Sequence, residues 1–395
     1  MTAATRAQVA PPPGAARLLA GAGDPPTLDR HLAVFGRVDT RLDAIRLAEE
    51  AGLRGRGGAG FPTALKLRAV AGRRGRPAVV ANGAEGEPAS KKDVSLLRVA
   101  PHLVIDGAIL AANTLGAARI VLALSRPLPQ VEHAVRERRH PALEIRYVPD
   151  RFVAGEETAL VRALAGHEPK PTLKPPYPFE RGLDNRPTLV QNVETLAHLA
   201  LVARFGAPWF GDGTCLVTLA GGFKRPGVHE VPLGAPLADV IARAGGLSKR
   251  SSAFLVGGYF GRWFSAREAS SLTLTPELLG AGAIVALPDS TCAFAECARV
   301  VGYLADESAG QCGPCVHGLA AIADALRESG RRDRRPDVRR WTAMVEGRGA
   351  CRHPDGAARF ALSALEVFGD EFDRHAGHHG CGRPCERVLP LTARR

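Results

Sequence analysis

Cysteine is unevenly placed in this chain. Cys215 stands alone, whereas Cys292, Cys297, Cys312, Cys315, Cys351, Cys381 and Cys385 all fall in the last third. In a reducing compartment such thiols serve as ligands or redox groups more often than as structural disulfides. Cys312-Gly313-Pro314-Cys315 supports two chemistries. A C-x-x-C pair is a redox dithiol when a strand precedes it and a helix follows within a small α/β domain; here a helical pattern over 297–306 and a loop come first. The alternative is an inorganic cluster, because soft thiolates on a tight turn, joined by Cys351 from a distant loop, suit iron and sulfide. Cys292 and Cys297 lie on a helical pattern and read as buried small hydrophobes. The tail Cys381-Gly382-Arg383-Pro384-Cys385, with His375, His378 and His379 before it, offers zinc-type ligands of its own, and reads equally as a polar segment indifferent to metal.

A second group of residues lies near the start. Gly55-Arg56-Gly57-Gly58-Ala59-Gly60-Phe61-Pro62 spells G-x-G-x-x-G, but a helix precedes it where a dinucleotide-binding turn needs a strand. Glycines this dense still let a backbone approach something flat or anionic with its N–H groups free, and Arg56 and Lys66 add positive charge. Two strand patterns end in acidic loops, Glu85/Glu87 and Glu156/Glu157. In open α/β sheets ligands bind beyond the carboxyl ends of strands, where carboxylates accept hydrogen bonds from ribose or carboxamide groups.

The elements that must position these groups follow from pattern. Helices are expected over 42–52, after Pro62, over 94–115, 130–138 and 155–165, with strands at 77–81, 119–124 and 143–148. This alternation argues for a parallel sheet covered by helices. The proline-dense stretch 169–187 reads as loop, and 192–205 as a helix capped by Asn192. From Thr214 short apolar runs (LVTLAGGF, GVHEVPL, AFLVGGYF, AIVALP) and one helix over 237–244 indicate a small β-rich domain. Helices are expected over 291–306, 316–329, 337–346 and 356–372. The resulting division is a flexible extension over 1–41, an α/β domain over 42–213, a β domain over 214–290, a helical domain over 291–372 and an irregular Cys/His tail over 373–395.

Composition bounds the rest. With 395 residues, 45% apolar, the chain has material for two or three cores and is not disordered throughout. Aromatics are sparse at 5%, while 44 Gly and 30 Pro demand many turns. The stretch 103–124 is interrupted by Asp106, Asn113 and Arg119, so no membrane span is expected. The segment 1–13 lacks the apolar core of a secretory signal, and the protein reads as cytoplasmic. The net charge of +12 includes Arg runs at 73–76 and 331–335. Neither run interleaves aromatics as nucleic-acid surfaces do, and a positive field suits an acidic electron-transfer partner.

Seven motifs together resemble one family. They are GLRGRGGAGFPTALK (52–66), NGAEGEP (82–88), GEETALV (155–161), LKPPYP (173–178), NRPTLVQNVETLA (185–197), PGVHEVPLGAPL (226–237) and ESAGQCGPC (307–315). In this order they are similar to the NADH-binding flavoprotein subunit of respiratory complex I and its relatives in hydrogenases and formate dehydrogenases. The resemblance implies an FMN-binding α/β domain with a parallel sheet, a β-grasp (SLBB) domain and a C-terminal helical bundle carrying a [4Fe–4S] cluster. It implies FMN among Gly55, Arg56, Gly57, Gly58, Lys66, Asn82, Glu85, Gly155, Glu156, Glu157, Gln191 and Asn192, with Glu157 and Lys66 as the catalytic pair. NADH would meet Phe61, Glu87, Lys174 and Tyr177, the two aromatics stacking on adenine, and the cluster would take Cys312, Cys315 and Cys351. Electrons would pass to a ferredoxin-like or membrane redox partner, placing the protein in the cytoplasm or at the edge of a membrane complex.

Three positions depart from the family pattern. Ala84 stands where an Asp is expected, removing a flavin hydrogen-bond acceptor; Leu67 replaces an aromatic after the Lys66 motif; and Ala309 stands where the family places a cluster cysteine. The fourth iron could then be held by water or His353, or by a tail residue among Cys381, Cys385, His375, His378 and His379. Otherwise the cluster is a three-iron type, or lost. Retention of three thiolates favours an assembled cluster. The alternatives are a cofactor-poor scaffold subunit and a thiol–disulfide protein.

Overall fold

The computed structural model describes residues 17–392 except His378. Ala78–Gly83 (β1), Arg119–Leu124 (β2), Leu143–Tyr147 (β3) and Thr188–Asn192 (β4) form an all-parallel sheet in the order β3-β2-β1-β4. Helices cover both faces, so β1 and β2 carry unbroken apolar runs. These helices are Leu28–Phe35 (α1), Ala44–Glu50 (α2), Thr63–Ala71 (α3), Lys92–Val99 (α4), Pro101–Leu115 (α5), Pro129–Arg138 (α6), Glu157–Leu164 (α7) and Val193–Phe210 (α8). Because β2 lies on one side of β1 and β4 on the other, the chain leaves β1 and β4 in divergent directions. A crevice therefore opens at their carboxyl ends.

Two elements differ from expectation. β4 is hidden between the proline-rich loop and the Asn192 cap: at five residues, buried along nearly its whole length, it shows no alternation. The single helix expected over 94–115 is two, bent by 96° at Ala100–Pro101. Pro101 has no N–H to continue the ladder and its ring clashes with the preceding turn. No single helix among the described residues is long and apolar enough to cross a membrane.

The flexible extension expected over 1–41 is corrected from residue 17 onward; 1–16 lie outside the described residues. Leu18, His31 and Phe35 are buried. His31 Nε2 lies 2.9 Å from Asp106 Oδ2, and the same carboxylate takes Arg138 at 2.5 Å and the Arg204 guanidinium. Burial alone would raise the Asp106 carboxyl, but these partners outweigh it and hold the group well below the usual carboxylate range. Asp106 thus interrupts an apolar helix because it anchors α1, α6 and α8 from inside.

Thr214–Gly221 (β5), Gly227–Pro232 (β6), Ser251–Val256 (β7), Arg262–Ser265 (β8) and Ala283–Pro288 (β9) build a second sheet, ordered β6-β5-β9-β7-β8. Only β5 and β9 run parallel. Leu237–Arg243 (α9) packs on it through Leu237 and Val240, and Ala266–Ala269 (α10) and Pro276–Leu279 (α11) are single turns. Ala293–Asp306 (α12), Leu319–Glu328 (α13), Arg335–Val345 (α14), His353–Val367 (α15) and Gly369–Ala376 (α16) form the terminal bundle. The tail is less irregular than expected: α16 extends into it, Leu389 is fully buried, and buried Glu296 of α12 accepts the N–H groups of Val388 (2.9 Å) and Leu389 (3.3 Å).

Removing one member of a buried charge group leaves the others unpaired, which costs about 3–5 kcal/mol. Asp106→Asn is therefore expected to lower the unfolding free energy by about 3 kcal/mol in denaturant titration, and to increase proteolysis around α1.

Candidate functional site

The glycine-rich loop closes on itself. Gly55 N–H donates to Phe61 O (2.8 Å), and Arg54 bridges Pro62. A Cβ on Gly57 would meet Asn192 Cβ at 3.4 Å, so the loop lies against the end of β4. Gly58 and Gly60 have φ of +100° and +60°, which side chains other than glycine rarely adopt. The Arg56 guanidinium lies 3.3 Å from Thr214 O and 4.0 Å from Glu194, while its backbone N–H donates to Thr195 Oγ1.

The loops after β1 and β3 touch backbone to backbone. Asn82 Nδ2 donates to Gly155 O (2.9 Å), and Asn82 Oδ1 accepts the N–H of Ala84 (3.1 Å). A Cβ on Gly86 would lie 2.5 Å from Phe152 O, and one on Gly155 2.7 Å from Ala84 O. Neither position admits another residue without moving the loops apart. Glu156 caps α7 by accepting the N–H groups of Thr158 and Ala159. Glu157 binds Lys66 at 3.2 Å and Lys174 at 2.7 Å, which joins the helix after the glycine loop to the proline-rich segment. Burial would raise the Glu157 carboxyl, but the two lysines outweigh it and hold it below the ordinary range.

Glu85 is held within its own loop. Its carboxylate accepts Ser90 Oγ at 2.6 Å and the N–H groups of Asp93 and Val94, so it caps α4 rather than standing free. Glu87 accepts the N–H groups of Tyr259 (2.8 Å) and Ala89 (3.1 Å), and removal from water pushes its carboxyl up to about 7. Phe61 and Tyr177 present exposed ring area, Tyr177 lying parallel to Phe179 at 5.2 Å. Gln191 is buried with Oε1 unpartnered, and Asn192 Nδ2 donates to Asp93 Oδ2 (2.7 Å).

Sequence reasoning missed a buried charge group under this surface. Lys92 Nζ lies 2.6 Å from Asp93 and 2.9 Å from Glu194, all three being almost fully buried. Burial pushes the Asp93 carboxyl up to about 7 despite Lys92. Only the adjacency of Lys92 and Asp93 hinted at a pair; Glu194, about a hundred residues away, gave no signal.

The three cluster thiols converge on the neighbouring bundle. Burial would raise the Cys312 thiol, but the N–H groups of Ala350 and Cys315 outweigh it and hold it below the usual range. Burial and the charge of Cys312 push Cys315 up to about 12, opposed by the Ala309 N–H. Burial pushes Cys351 up to about 11, with Glu156 among the charges it feels. Ala309 therefore keeps its backbone in the cysteine loop and lacks only the sulfur. The loop is tied to the sheet edge, because Glu307 accepts Arg151 Nε (3.2 Å) and the Phe152 N–H (3.1 Å). His353 gives its Nε2 to Leu304 O at 2.7 Å and leaves Nδ1 buried without a partner. A helix, not a strand, precedes Cys312, which excludes the thioredoxin arrangement. The tail thiols do not reach the cluster: Cys381 and Cys385 lie by the N-terminal end of α12, a helix of 14 residues and hence roughly 20 Å long, whereas Cys312 follows its other end.

These donor sets fit the two groups that the motifs imply. A cradle of glycines too close for side chains, an orphaned amide oxygen on Gln191 and an ion-paired carboxylate suit a flavin. Three thiols receiving backbone N–H groups suit an iron–sulfur cluster. Fold and site together define a flavin- and iron–sulfur-binding oxidoreductase component. Residues 48–201 match the Nuo51 FMN-binding domain, 216–258 the SLBB domain, and 295–375 the NADH-ubiquinone oxidoreductase-F iron-sulfur binding region. The chain is 30% identical over 379 residues to the F 2 chain of the NADH-quinone oxidoreductase of Rhizobium meliloti (strain 1021), covering 86% of this chain and 90% of that one. It is 28% identical over 416 residues to the HndC chain of the NADP-reducing hydrogenase of Solidesulfovibrio fructosivorans, covering 93% and 85%. An NAD+-reducing [NiFe]-hydrogenase in the H2-reduced state superposes with a TM-score of 0.79 at 29% identity, over 89% of this chain and 65% of that chain. The chain belongs to the family of NADH-binding flavoproteins typified by the F chains of NADH-quinone oxidoreductases.

Glu87 makes stability depend on pH. Its folded carboxyl, at about 7, lies above its ordinary value of 4.5, so the folded state keeps a proton that the unfolded chain has released. Its contribution is full below 4.5 and is lost as pH rises through about 7. Thermal melts of Glu87→Gln between these limits are expected to fall less with rising pH than wild type; identical slopes would refute the assignment.

Proposed function

We propose that this chain is the electron-input subunit of a redox assembly, an NADH dehydrogenase that passes electrons singly to a partner protein. The observation carrying the reading is the Glu157 carboxylate, paired with Lys66 and Lys174 at the carboxyl end of the sheet. FMN, when bound, takes a hydride from NADH and releases electrons one at a time.

We assign the flavin to the glycine loop, Asn82, Gly155, Glu156, Glu157, Gln191 and Asn192, with Glu157 and Lys66 as the catalytic pair. Lys66 brings positive charge to the flavin, and Glu157, kept ionised by two lysines, holds Lys66 and Lys174 in fixed positions. NADH is assigned to Phe61, Glu87, Lys174 and Tyr177. The exposed rings offer stacking faces for adenine, and Glu87, titrating near neutrality, can donate or accept a hydrogen bond. Cys312, Cys315 and Cys351 hold the cluster.

The acceptor we infer is a ferredoxin-like protein or the next subunit of a membrane complex, met by a chain of charge +12. We place the protein in the cytoplasm or at a membrane complex facing it, a reading supported by the gathering of seven cysteines in the last third, where three of them serve the cluster.

Anaerobic purification should yield flavin, iron and sulfide, with flavin absorbance bleaching on addition of NADH. A preparation holding neither flavin nor iron would overturn the assignment. Cys351→Ser is expected to lose most of its iron while retaining flavin. Lys174→Ala removes a charged contact of ~1.5–3 kcal/mol, so KM for NADH should rise roughly 10- to 100-fold with a smaller change in kcat.

A further inference from the structure

The N-terminal end of α12 carries a second group of soft ligands that the electron path does not use. Cys292 is the N-cap of that helix, Glu371 and His375 lie one turn apart on α16, and Cys381 comes from the segment beyond. One ligand atom from each of the four lies within 4.8 Å of all the others, and Cys292 Sγ is 3.4 Å from His375 Nε2. We propose that these four side chains bind a zinc ion, separate from the iron–sulfur cluster, which locks the tail across the bundle.

The donor chemistry selects the ion. Two thiolates, an imidazole and a carboxylate are four donors of the kinds that four-coordinate zinc takes, and thiolates disfavour calcium and magnesium. Binding converts both thiols to thiolates, each releasing its proton to solvent. The surroundings fix the ligands in position. Cys292 Sγ accepts the N–H of Ala295 at 3.3 Å, at the positive end of α12. His375 is stacked on Phe294, centroids 4.5 Å apart and planes at 26°, which fixes the ring. Glu371 accepts the Phe294 N–H (3.1 Å) and pairs with Arg383 (3.0 Å), the outer contacts that orient a ligating carboxylate. Two thiolates and one carboxylate around a divalent ion leave one negative charge, which Arg383 balances.

The site also has something to hold. Pro384 O accepts the Cys292 N–H (2.8 Å) and Thr291 Oγ1 (3.2 Å), and Arg299 donates to Leu389 O at 2.7 Å. Tyr259, whose backbone N–H meets Glu87, gives its hydroxyl to Pro390 O. The ion would thus fasten a segment that runs from the bundle to the wall of the proposed NADH site. This inference does not rest on the redox reading, since zinc and iron are counted separately.

The test is elemental analysis of the full-length protein, expressed with zinc and iron and purified anaerobically. One zinc per chain is expected beside the iron. His375→Ala and Cys381→Ser, which leave the buried Cys292 intact, should each lose the zinc and keep the iron, with a lower Tm. Cys385→Ser should keep it, because that thiol lies on Glu296 at 3.4 Å. Replacement by Co(II) should give thiolate-to-metal charge-transfer absorption that weakens in Cys381→Ser. Wild-type protein without zinc, or zinc retained in the His375→Ala/Cys381→Ser double variant, would overturn the site. Zinc lost in Cys385→Ser but kept in Glu371→Gln would overturn Glu371 as the fourth ligand.

Discussion

Lys92, Asp93 and Glu194 leave water together, and much of the architecture follows from where they meet. Taking three ionisable groups into the interior costs several kcal/mol each unless their partners are near, so the segments carrying them have little freedom. Glu194 opens α8 directly after β4, and Lys92 and Asp93 open α4 after the β1 loop. Glu194 also accepts the N–H of Leu216 at 2.9 Å, and Lys91 N–H donates to Thr218 Oγ1, both on β5. The charge group therefore pins the crevice between β1 and β4 and seats the second sheet against it. Arg56 turns its guanidinium toward the same group, which leaves the glycine loop to present backbone N–H groups.

Much of this is legible in the residues. The alternation of apolar runs and helical patterns places β1, β2 and β3 and the helices between them, and the short runs after Thr214 place β5, β6, β7 and β9. β4 escapes because it is buried along nearly its whole length and shows no alternation, and β8 because four residues are too few to display a period. Pro101 is visible, yet the apolar pattern continues on both sides of the bend and conceals it. Asp106 reads only as an interruption in a hydrophobic run. Its three partners, His31, Arg138 and Arg204, come from α1, α6 and α8, and no local pattern reveals a meeting of that range.

The site divides in the same way. The glycines, Asn82, Glu156, Glu157 and the cysteine motif are readable because their spacing is local. What the side chains of Arg56 and Glu85 do is not, because each depends on partners brought by the fold. Glu85 caps the helix that follows it, and the carboxylate that meets both lysines is Glu157. The substitution at Ala309 is equally instructive: its N–H still faces Cys315, so loop geometry and sulfur count vary independently.

Glu307 reaches from the end of α12, just ahead of the cysteine motif, to the backbone of Phe152, three residues ahead of Gly155. The glycine turn and the thiol loop thus rest on a shared joint, so a shift in the backbone of one is passed to the footing of the other.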